Sequence, residues 1–341
     1  LGKCRTESIN KTMKKLLIKG KGSDLTDKKL QQNRGKKKMI THVIIRAMLE
    51  IAERKGNKRF IKSLWNAYYC LDKVTTGEGR MYTTYYCKSR ICTVCAGNRK
   101  ADLINKYFSV IQKWEQPYFV TLTVKAIPAK NLNKWINDGM IRGFNRIVEK
   151  YRKRNLRGKG FKLIGIRTLE CNFNSKKRTY NPHFHLIVAN KEIAETLINE
   201  WLQLWRSDEK VFTVRKAQDM RPIESLERDL IETIKYGTKI FAQPDPDKRK
   251  KVKGSERIYA VAIYNILNAM KGRHLMEHFG FKTPVVKKEK TDAITLTDSK
   301  NWKYDPGKLD WGNELTDEVL MNFSPSEELV RISEDVDLDL E

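Results

Sequence analysis

Two histidines, His183 and His185, lie two positions apart in a run of β-branched and aromatic residues. In a strand, residues i and i+2 project from the same face, so both imidazoles are expected to point the same way. A basic turn, residues 174–178, precedes them. If the flanking strands form a hairpin centred on that turn, Glu170 lies opposite His183. Two nitrogen ligands and one carboxylate oxygen suit Mg²⁺ or Mn²⁺ bound jointly with a phosphate. The alternative to a metal site is an ordinary strand whose two imidazoles bind no ligand.

A second candidate set lies on one face of a predicted helix over residues 223–241. Glu232, Tyr236 and Lys239 are spaced i, i+4 and i+7 and lie away from the apolar stripe of this helix. A tyrosine hydroxyl beside a divalent cation could attack a phosphodiester, with Glu232 handling protons and Lys239 steadying the phosphate. The alternative is a solvated helix surface, which charged residues at this spacing usually form.

Four of the six cysteines fall within 26 residues. Cys92 and Cys95 form a C-x2-C pair, and the interval from Cys70 to Cys87 fits a hairpin that returns to the same point. Four thiolates hold zinc tetrahedrally, so the spacing predicts a structural Zn²⁺ site. The alternatives are four reduced, partly buried cysteines or a redox pair, although no thioredoxin-like βαβ pattern surrounds the C-x2-C pair.

Strands alternating with helices must position these residues, and they indicate an α+β core. The pattern predicts strands at 118–124, 161–173, 180–189 and 211–214, and helices at 40–54, 58–68, 97–114, 130–153, 191–206, 223–241 and 257–279. Everything past about Lys290 is expected to be loosely structured. We expect four segments: a basic flexible N-terminal arm (1–39), a helical and zinc-binding region (40–104), a domain that contains the histidine and tyrosine motifs (105–290) and an acidic C-terminal tail (291–341).

The charge balance indicates a polyanionic partner. The 341 residues include 68 Lys and Arg against 41 Asp and Glu, a net charge of +27, and nucleic acid is the simplest polyanion to match it. The charge is uneven, since residues 1–39 carry a net +10 and residues 314–341 a net −9. No apolar run approaches the ~18 residues of a membrane-spanning helix, and the first residues lack a secretory signal pattern. A soluble cytoplasmic protein without a membrane partner is expected.

The order and spacing of these motifs resemble those of the HUH endonucleases, and among them the rolling-circle replication initiators of small bacterial plasmids. The resemblance covers about residues 68–285. It rests on four segments: the strand Phe119-Val-Thr-Leu-Thr-Val124, the pair His183-Phe-His185, the helix motif Glu232-x-x-Lys235-Tyr236-x-x-Lys239, and the cysteine cluster Cys87-Lys-Ser-Arg-Ile-Cys92-Thr-Val-Cys95.

The resemblance implies that residues 105–290 form an HUH nuclease domain, whose core is an antiparallel sheet with helices and a single catalytic tyrosine on a helix. It also implies a small cysteine-rich zinc-binding segment. It also implies nicking and rejoining of one strand of single-stranded or hairpin origin DNA. Tyr236 would take the 5′-phosphate and free a 3′-OH, and Glu232 would assist the terminating step. Lys176, Lys177, Arg178 and Lys235 are candidate nucleic-acid contacts. Host replication proteins are further candidate partners, and the acidic tail could recruit them or mask the DNA site.

Three other functions fit parts of the pattern. A conjugative relaxase of this superfamily usually offers a third histidine, and none is suitably spaced here. A single-tyrosine transposase is typically shorter and has no need of the zinc region. A zinc-stabilised DNA- or RNA-binding protein without catalysis would explain the charge equally well, but it has no reason to carry Glu170, His183, His185 and Tyr236 together.

Overall fold

The computed structural model describes the chain in several ranges. They are residues 16–19, 22–83, 85–206, 212–234, 255–274, 276–282, 293–296, 298–313 and 315–327, together with residue 330. The strands are β1 Leu16–Lys19, β2 Ser23–Asp24, β3 Lys73–Gly77, β4 Arg80–Tyr82, β5 Tyr118–Thr123, β6 Gly165–Asn174, β7 Thr179–Val188, β8 Asp219–Pro222, β9 Met276–Phe279, β10 Ala293–Leu296, β11 Lys300–Asp305 and β12 Asp310–Asn313. The helices are α1 Lys28–Arg54, α2 Lys58–Tyr68, α3 Thr93–Ile111, α4 Ala129–Lys134, α5 Arg142–Leu156, α6 Lys191–Leu204, α7 Leu226–Ile234 and α8 Ser255–Ala269.

Five antiparallel strands in the order β8-β5-β7-β6-β9 form what we call the central sheet. Side chains of the middle strands point alternately to the two faces of the sheet. Phe184, Leu186 and Val188 of β7 project into a large apolar core shared with α6 and with the helical segment 129–156. The opposite face packs against α3 and α7 through a smaller cluster that includes Ile187 and Leu230. Helices therefore cover both faces of the central sheet, and the mixed α+β class predicted from the sequence is confirmed.

A second antiparallel sheet, β12-β11-β3-β4-β2, which we call the peripheral sheet, packs with α1, α2 and the cysteine-rich segment. Helix α8 joins the two parts of the molecule. Its Ile263 and Tyr264 pack into the core of the peripheral part, whereas Ala262 and Ile266 pack into the core of the central sheet. The strands β1 and β10 pair only with each other among the described residues.

The long helix predicted over residues 130–153 is present but not uniform. A π-helical segment, Trp135–Ile141, separates α4 from α5. Gly139 lies in this segment, where an added Cβ would come within 2.5 Å of the Trp205 ring. The glycine lets the indole of Trp205 stack on Trp135, with 5.2 Å between ring centroids.

Several sequence predictions of secondary structure are wrong, and tertiary pairing explains them. Residues 212–214 are not a strand, since the edge strand beside β5 is β8 at Asp219–Pro222. The helix predicted to end near residue 279 ends at Ala269, because residues 276–279 pair with β6 as β9. Of the segment past residue 290 that was expected to be loose, the described residues 293–296, 300–305 and 310–313 form β10, β11 and β12, and β11 pairs with β3. Helix α1 begins at Lys28, within the segment expected to be a flexible arm. The boundaries of the four expected segments otherwise stay predictions.

Candidate functional site

The hairpin of β6 and β7 brings the two histidines and the glutamate together. The register pairs Glu170 with His183 and Thr168 with His185, which confirms the pairing expected from the hairpin. Strand β5 lies on the other side of β7 and pairs Thr121 with His185. The site therefore lies on the three middle strands of the central sheet, on the face that also packs against α3 and α7.

The side chains of Glu170, His183 and His185 converge on one point. The Nε2 atoms of both imidazoles lie 3.4 Å from Oε2 of Glu170, and all three side chains are buried or nearly so. Two ligand bonds of about 2.1 Å that meet at 90–109° place their ligand atoms about 3.0–3.4 Å apart. The measured separations are of that size, so the three ligand atoms suit a single divalent cation.

Hydrogen bonds on the far side of each ring orient the imidazoles. His183 Nδ1 lies 3.0 Å from the carbonyl oxygen of Asn181, and because a carbonyl only accepts, Nδ1 donates. His185 Nδ1 lies 3.1 Å from the hydroxyl oxygen of Thr121. Because Nδ1 donates to the backbone, Nε2 is the nitrogen that would bind a cation beside Glu170, which is the arrangement of a metal-ligating histidine. Sequence reasoning missed Thr121 and Asn181, although the alternation of the strand motif around Thr121 could have indicated the first.

Glu170 is held as a carboxylate. Burial alone would raise the pKa of its side chain, but hydrogen bonds and charge interactions with His183 and His185 outweigh burial and lower the pKa to about 2. Its second oxygen, Oε1, is buried and has no hydrogen-bond partner within the described part of the chain. A buried anionic oxygen without a partner is costly unless a cation satisfies it. The donor set and this orphaned oxygen fit Mg²⁺ or Mn²⁺.

Helix α7 is fastened to the same face. The hydroxyl of Thr168 donates a 2.7 Å hydrogen bond to the carbonyl oxygen of Thr233. Asp229 of α7 also forms an ion pair with Arg221 of β8. The last turn of α7 is thus fixed to β6, the strand that carries Glu170, and the middle of α7 is fixed to the edge strand β8.

The other residues predicted for catalysis are only partly described. Glu232 belongs to α7, but its side chain lies outside what the structure describes. Lys235, Tyr236 and Lys239 lie wholly outside the described residues. The candidate nucleic-acid contacts Lys176, Lys177 and Arg178 are exposed in the turn between β6 and β7. Lys176 follows Glu170 by six positions, a span of at most about 20 Å at the rise of a strand.

The four predicted cysteines also meet at one point. The sulfur atoms of Cys70, Cys87, Cys92 and Cys95 all lie within 4.8 Å of one another. Cys95 Sγ is 3.5 Å from Cys70 Sγ and 3.6 Å from Cys87 Sγ, against about 3.8 Å between thiolates in a tetrahedral zinc site. The hairpin of β3 and β4 returns the chain from Cys70 to Cys87, as the spacing predicted.

Backbone N–H groups support negative charge on these sulfurs. The N–H groups of Cys87, Ser89 and Cys95 donate to Cys70 Sγ, Cys87 Sγ and Cys92 Sγ respectively. Hydrogen bonds from the Cys70 and Cys87 thiols lower the pKa values of Cys92 and Cys95, and the same sharing of protons raises the pKa values of Cys70 and Cys87. Thiolate is the form in which cysteine binds metals, so the cluster fits a structural zinc ion.

A buried lysine lies beside the cysteine cluster. The Lys38 ammonium donates to the carbonyl oxygens of Tyr68, at 2.9 Å, and Cys70, at 2.6 Å. Burial lowers the pKa of Lys38 to about 8. No sequence pattern indicates this contact, because Lys38 is the last of three consecutive lysines in the segment predicted to be a flexible basic arm.

The described helices include none with the length and apolar character needed to cross a lipid bilayer.

Comparison with known proteins finds several relatives that carry the name "Protein rep". The chain is similar to a "Protein rep" of Streptococcus pneumoniae, with 29% identity over 182 residues that cover 48% of this chain and 54% of the relative. A "Protein rep" of Bacillus amyloliquefaciens is 27% identical over 201 residues, which cover 56% of this chain and 54% of the relative. The chain thus spans about half the length of these two relatives. A "Protein rep" of Staphylococcus aureus is 30% identical over 178 residues, 48% of this chain and 74% of the relative.

No solved structure matches the chain. The Rep_1 model, described as "Replication protein", matches residues 78–323, which include the cysteine pair, the hairpin of β6 and β7, and α7. The resemblance to plasmid rolling-circle replication initiators is therefore confirmed, and the chain belongs to the Rep_1 family of replication proteins.

Proposed function

We propose that this protein initiates plasmid replication by nicking one strand of origin DNA, and later rejoining it, through a covalent bond to Tyr236. The observation that carries the proposal is the convergence of His183 Nε2, His185 Nε2 and Glu170 Oε2 on one point. A non-catalytic DNA-binding protein has no need of such a buried carboxylate with an unpartnered oxygen.

The position of α7 supports the role of the tyrosine. The carbonyl of Thr233 is bound to Thr168, and Thr168 lies two residues from Glu170 on the same face of β6. Tyr236 follows Thr233 by three residues, a chain length of at most about 10 Å. The tyrosine is therefore within reach of a phosphate held at Glu170, His183 and His185.

In the proposed reaction, the Tyr236 oxygen attacks the scissile phosphorus and forms a phosphotyrosine. The bond from phosphorus to the 3′-oxygen breaks, and that oxygen takes a proton and leaves as a free 3′-OH. Glu232 accepts the tyrosine proton, and Lys239 offsets charge on the phosphate. A divalent cation, Mg²⁺ or Mn²⁺, would supply Lewis-acid polarisation of a non-bridging oxygen when bound to Glu170, His183 and His185. Reversal of the same exchange by a new 3′-OH rejoins the strand.

We further propose that Cys70, Cys87, Cys92 and Cys95 hold one structural Zn²⁺. The close approach of the four sulfur atoms and the N–H donors to them support this role. The ion would join α3 to the β3–β4 hairpin and so stabilise the peripheral part of the molecule. The basic turn 176–178 and Lys235 would contact the phosphates of the origin DNA, whether single-stranded or extruded as a hairpin.

The decisive experiment incubates the full chain with origin-derived single-stranded DNA and Mn²⁺. A covalent protein–DNA adduct that survives denaturant is expected. Tyr236→Phe should abolish the adduct while leaving DNA binding intact. The control Tyr118→Phe, in β5 of the central sheet, should leave both the adduct and DNA binding unchanged. An undiminished adduct in Tyr236→Phe would overturn the assignment. DNA binding without any adduct in the wild type would favour a non-catalytic DNA-binding protein.

A further inference from the structure

A row of exposed basic and aromatic side chains follows helix α2, away from the central sheet. The row consists of Lys58, Lys62, Trp65 and Tyr69, all exposed. At 100° per residue these four positions fall within an arc of about 60° around the helix axis. Lysines thus occupy the first half of one helical stripe, and aromatic rings occupy the end of the helix.

The two rings of this row are arranged as a stack. Trp65 and Tyr69 lie with ring centroids 5.9 Å apart and an interplanar angle of 22°. Tyr68 meets Trp65 edge-on from the buried side, at 5.3 Å, and steadies it. Trp65 is nevertheless 39% exposed and Tyr69 52% exposed. Both rings therefore present aromatic surface on which a ligand could stack.

A third ring comes from the cysteine-rich segment. The Tyr85 hydroxyl donates a 3.2 Å hydrogen bond to the carbonyl oxygen of Asn66, and the side chain of Tyr85 is 43% exposed. This bond ties the loop that leads to Cys87 to the end of α2. We call Trp65, Tyr69 and Tyr85 the aromatic platform.

The charge around the platform indicates what covers it. Helix α2 has three basic residues, Lys58, Arg59 and Lys62, and no acidic residue. Exposed rings beside a row of cations are the combination that binds single-stranded nucleic acid, because each base can stack on a ring while the lysines attract its phosphates. A protein partner would also use the rings, but a uniformly basic helix face favours a polyanion.

The platform is separate from the site on the central sheet. Helix α3 begins beside the cysteine cluster and ends against the central sheet, where Ile111 packs with Phe119. Its 19 residues span about 28 Å. We propose that the aromatic platform is a second DNA-binding site, which stacks unpaired bases at a distance from the nicking site. The inference rests on the proposed function only in taking DNA as the ligand, and its test reads no cleavage.

The test measures binding of the full chain to a fluorescent 20-nucleotide oligothymidylate and to an abasic chain of the same length, by anisotropy. The wild type should bind the oligothymidylate at least about tenfold more tightly than the abasic chain, because only bases can stack. The double variant Trp65→Leu/Tyr69→Leu should bind both chains with nearly equal affinity. Lys58→Gln/Lys62→Gln should weaken binding of both chains together and reduce the salt dependence.

Two further variants control for loss of structure. Trp65→Phe/Tyr69→Phe keeps the rings and should keep most of the preference for bases, whereas Leu156→Gln removes an exposed apolar side chain of α5 and should change nothing. A leucine variant that folds normally and still prefers the oligothymidylate by the wild-type factor would overturn the proposal. The proposal would also be overturned if the leucine variant bound DNA as the wild type does but lost self-association in sedimentation. That result would identify the platform as a contact between copies of this chain. Absence of a Tyr236 adduct with intact base preference would refute the nicking function alone.

Discussion

The hydroxyl of Thr168 donates a 2.7 Å hydrogen bond to the carbonyl oxygen of Thr233. This contact joins the strand that carries Glu170 to the last turn of α7, three residues before Tyr236. Both threonines are buried, so water cannot easily replace the bond. Together with the ion pair of Asp229 and Arg221, this bond fixes the last described turn of α7 against the strand that carries Glu170. We therefore expect the proposed reaction of Tyr236 to depend on a threonine that takes no part in the chemistry.

Replacing Thr168 tests that dependence. Thr168→Val keeps the shape but removes the donor, and we expect a loss of about 1–2 kcal/mol in the free energy of unfolding, because a buried carbonyl loses its partner. The rate of adduct formation should fall about tenfold while DNA affinity stays unchanged. The matched control is Thr179→Val in β7, whose buried hydroxyl has no hydrogen-bond partner in the described ranges and whose loss should cost nothing. Equal rates for both variants would contradict the positioning role.

Removing the charge of Glu170 should abolish the metal site while keeping the hairpin. In Glu170→Gln the amide cannot act as the anionic ligand, so we expect Mn²⁺ affinity, measured by electron paramagnetic resonance, and adduct yield to fall at least about 100-fold. Glu200→Gln, which breaks the surface ion pair with Lys150, should leave both values unchanged. Full Mn²⁺ affinity in Glu170→Gln would show that the cation binds elsewhere.

The orientation of His185 depends on Thr121, which lies opposite it on β5. Thr121→Val removes the hydroxyl that contacts Nδ1 and frees the ring to turn. We expect Mn²⁺ affinity to fall about tenfold, the lower end of the usual effect of losing a partner behind a metal-binding histidine. Titration calorimetry with Mn²⁺ in the absence of DNA measures this directly. An affinity within twofold of the wild type would mean that packing alone orients the ring.

The cysteine cluster predicts one zinc ion per chain. Cys92→Ser should lower the bound zinc, measured by elemental analysis, well below one per chain and should lower the thermal unfolding midpoint, because four-coordinate binding contributes directly to folding. Cys171→Ala, whose thiol is buried in the core of the central sheet, should keep the zinc. Chelation of zinc from the wild type should lower stability but leave divalent-metal binding at Glu170 in place. A zinc-free wild-type protein of unchanged stability would refute the structural role.

Replacing the buried Lys38 should lower the free energy of unfolding. Lys38→Met leaves the carbonyl oxygens of Tyr68 and Cys70 without their donor, so we expect the free energy of unfolding in urea to fall by about 2–4 kcal/mol. The control is Lys36→Met, two residues earlier on α1, where the side chain is exposed. Equal stability of the two variants would mean that water satisfies both carbonyls.

The sequence alone determined the parts of this protein that follow from short-range periodicity. A histidine pair two residues apart in a strand, a hairpin centred on a polar turn and a C-x2-C pair after a second hairpin each constrain neighbours within about 20 residues. For that reason the pairing of Glu170 with His183 and the meeting of the four cysteines could be read from spacing. The motifs also sufficed to identify the family.

Contacts between distant segments were decided only by the tertiary structure. Residues 276–279 look helical in isolation but form a strand because the edge of β6 needs a partner. The sequence pattern places Lys38 in a solvated arm, yet Lys38 is buried, where it donates to the carbonyl oxygens of Tyr68 and Cys70. The bond from Thr168 to Thr233 and the exposure of Trp65 beside Tyr69 and Tyr85 are likewise invisible in the sequence. Hydrogen-bond satisfaction and burial are properties of the whole packed chain, and local pattern does not encode them.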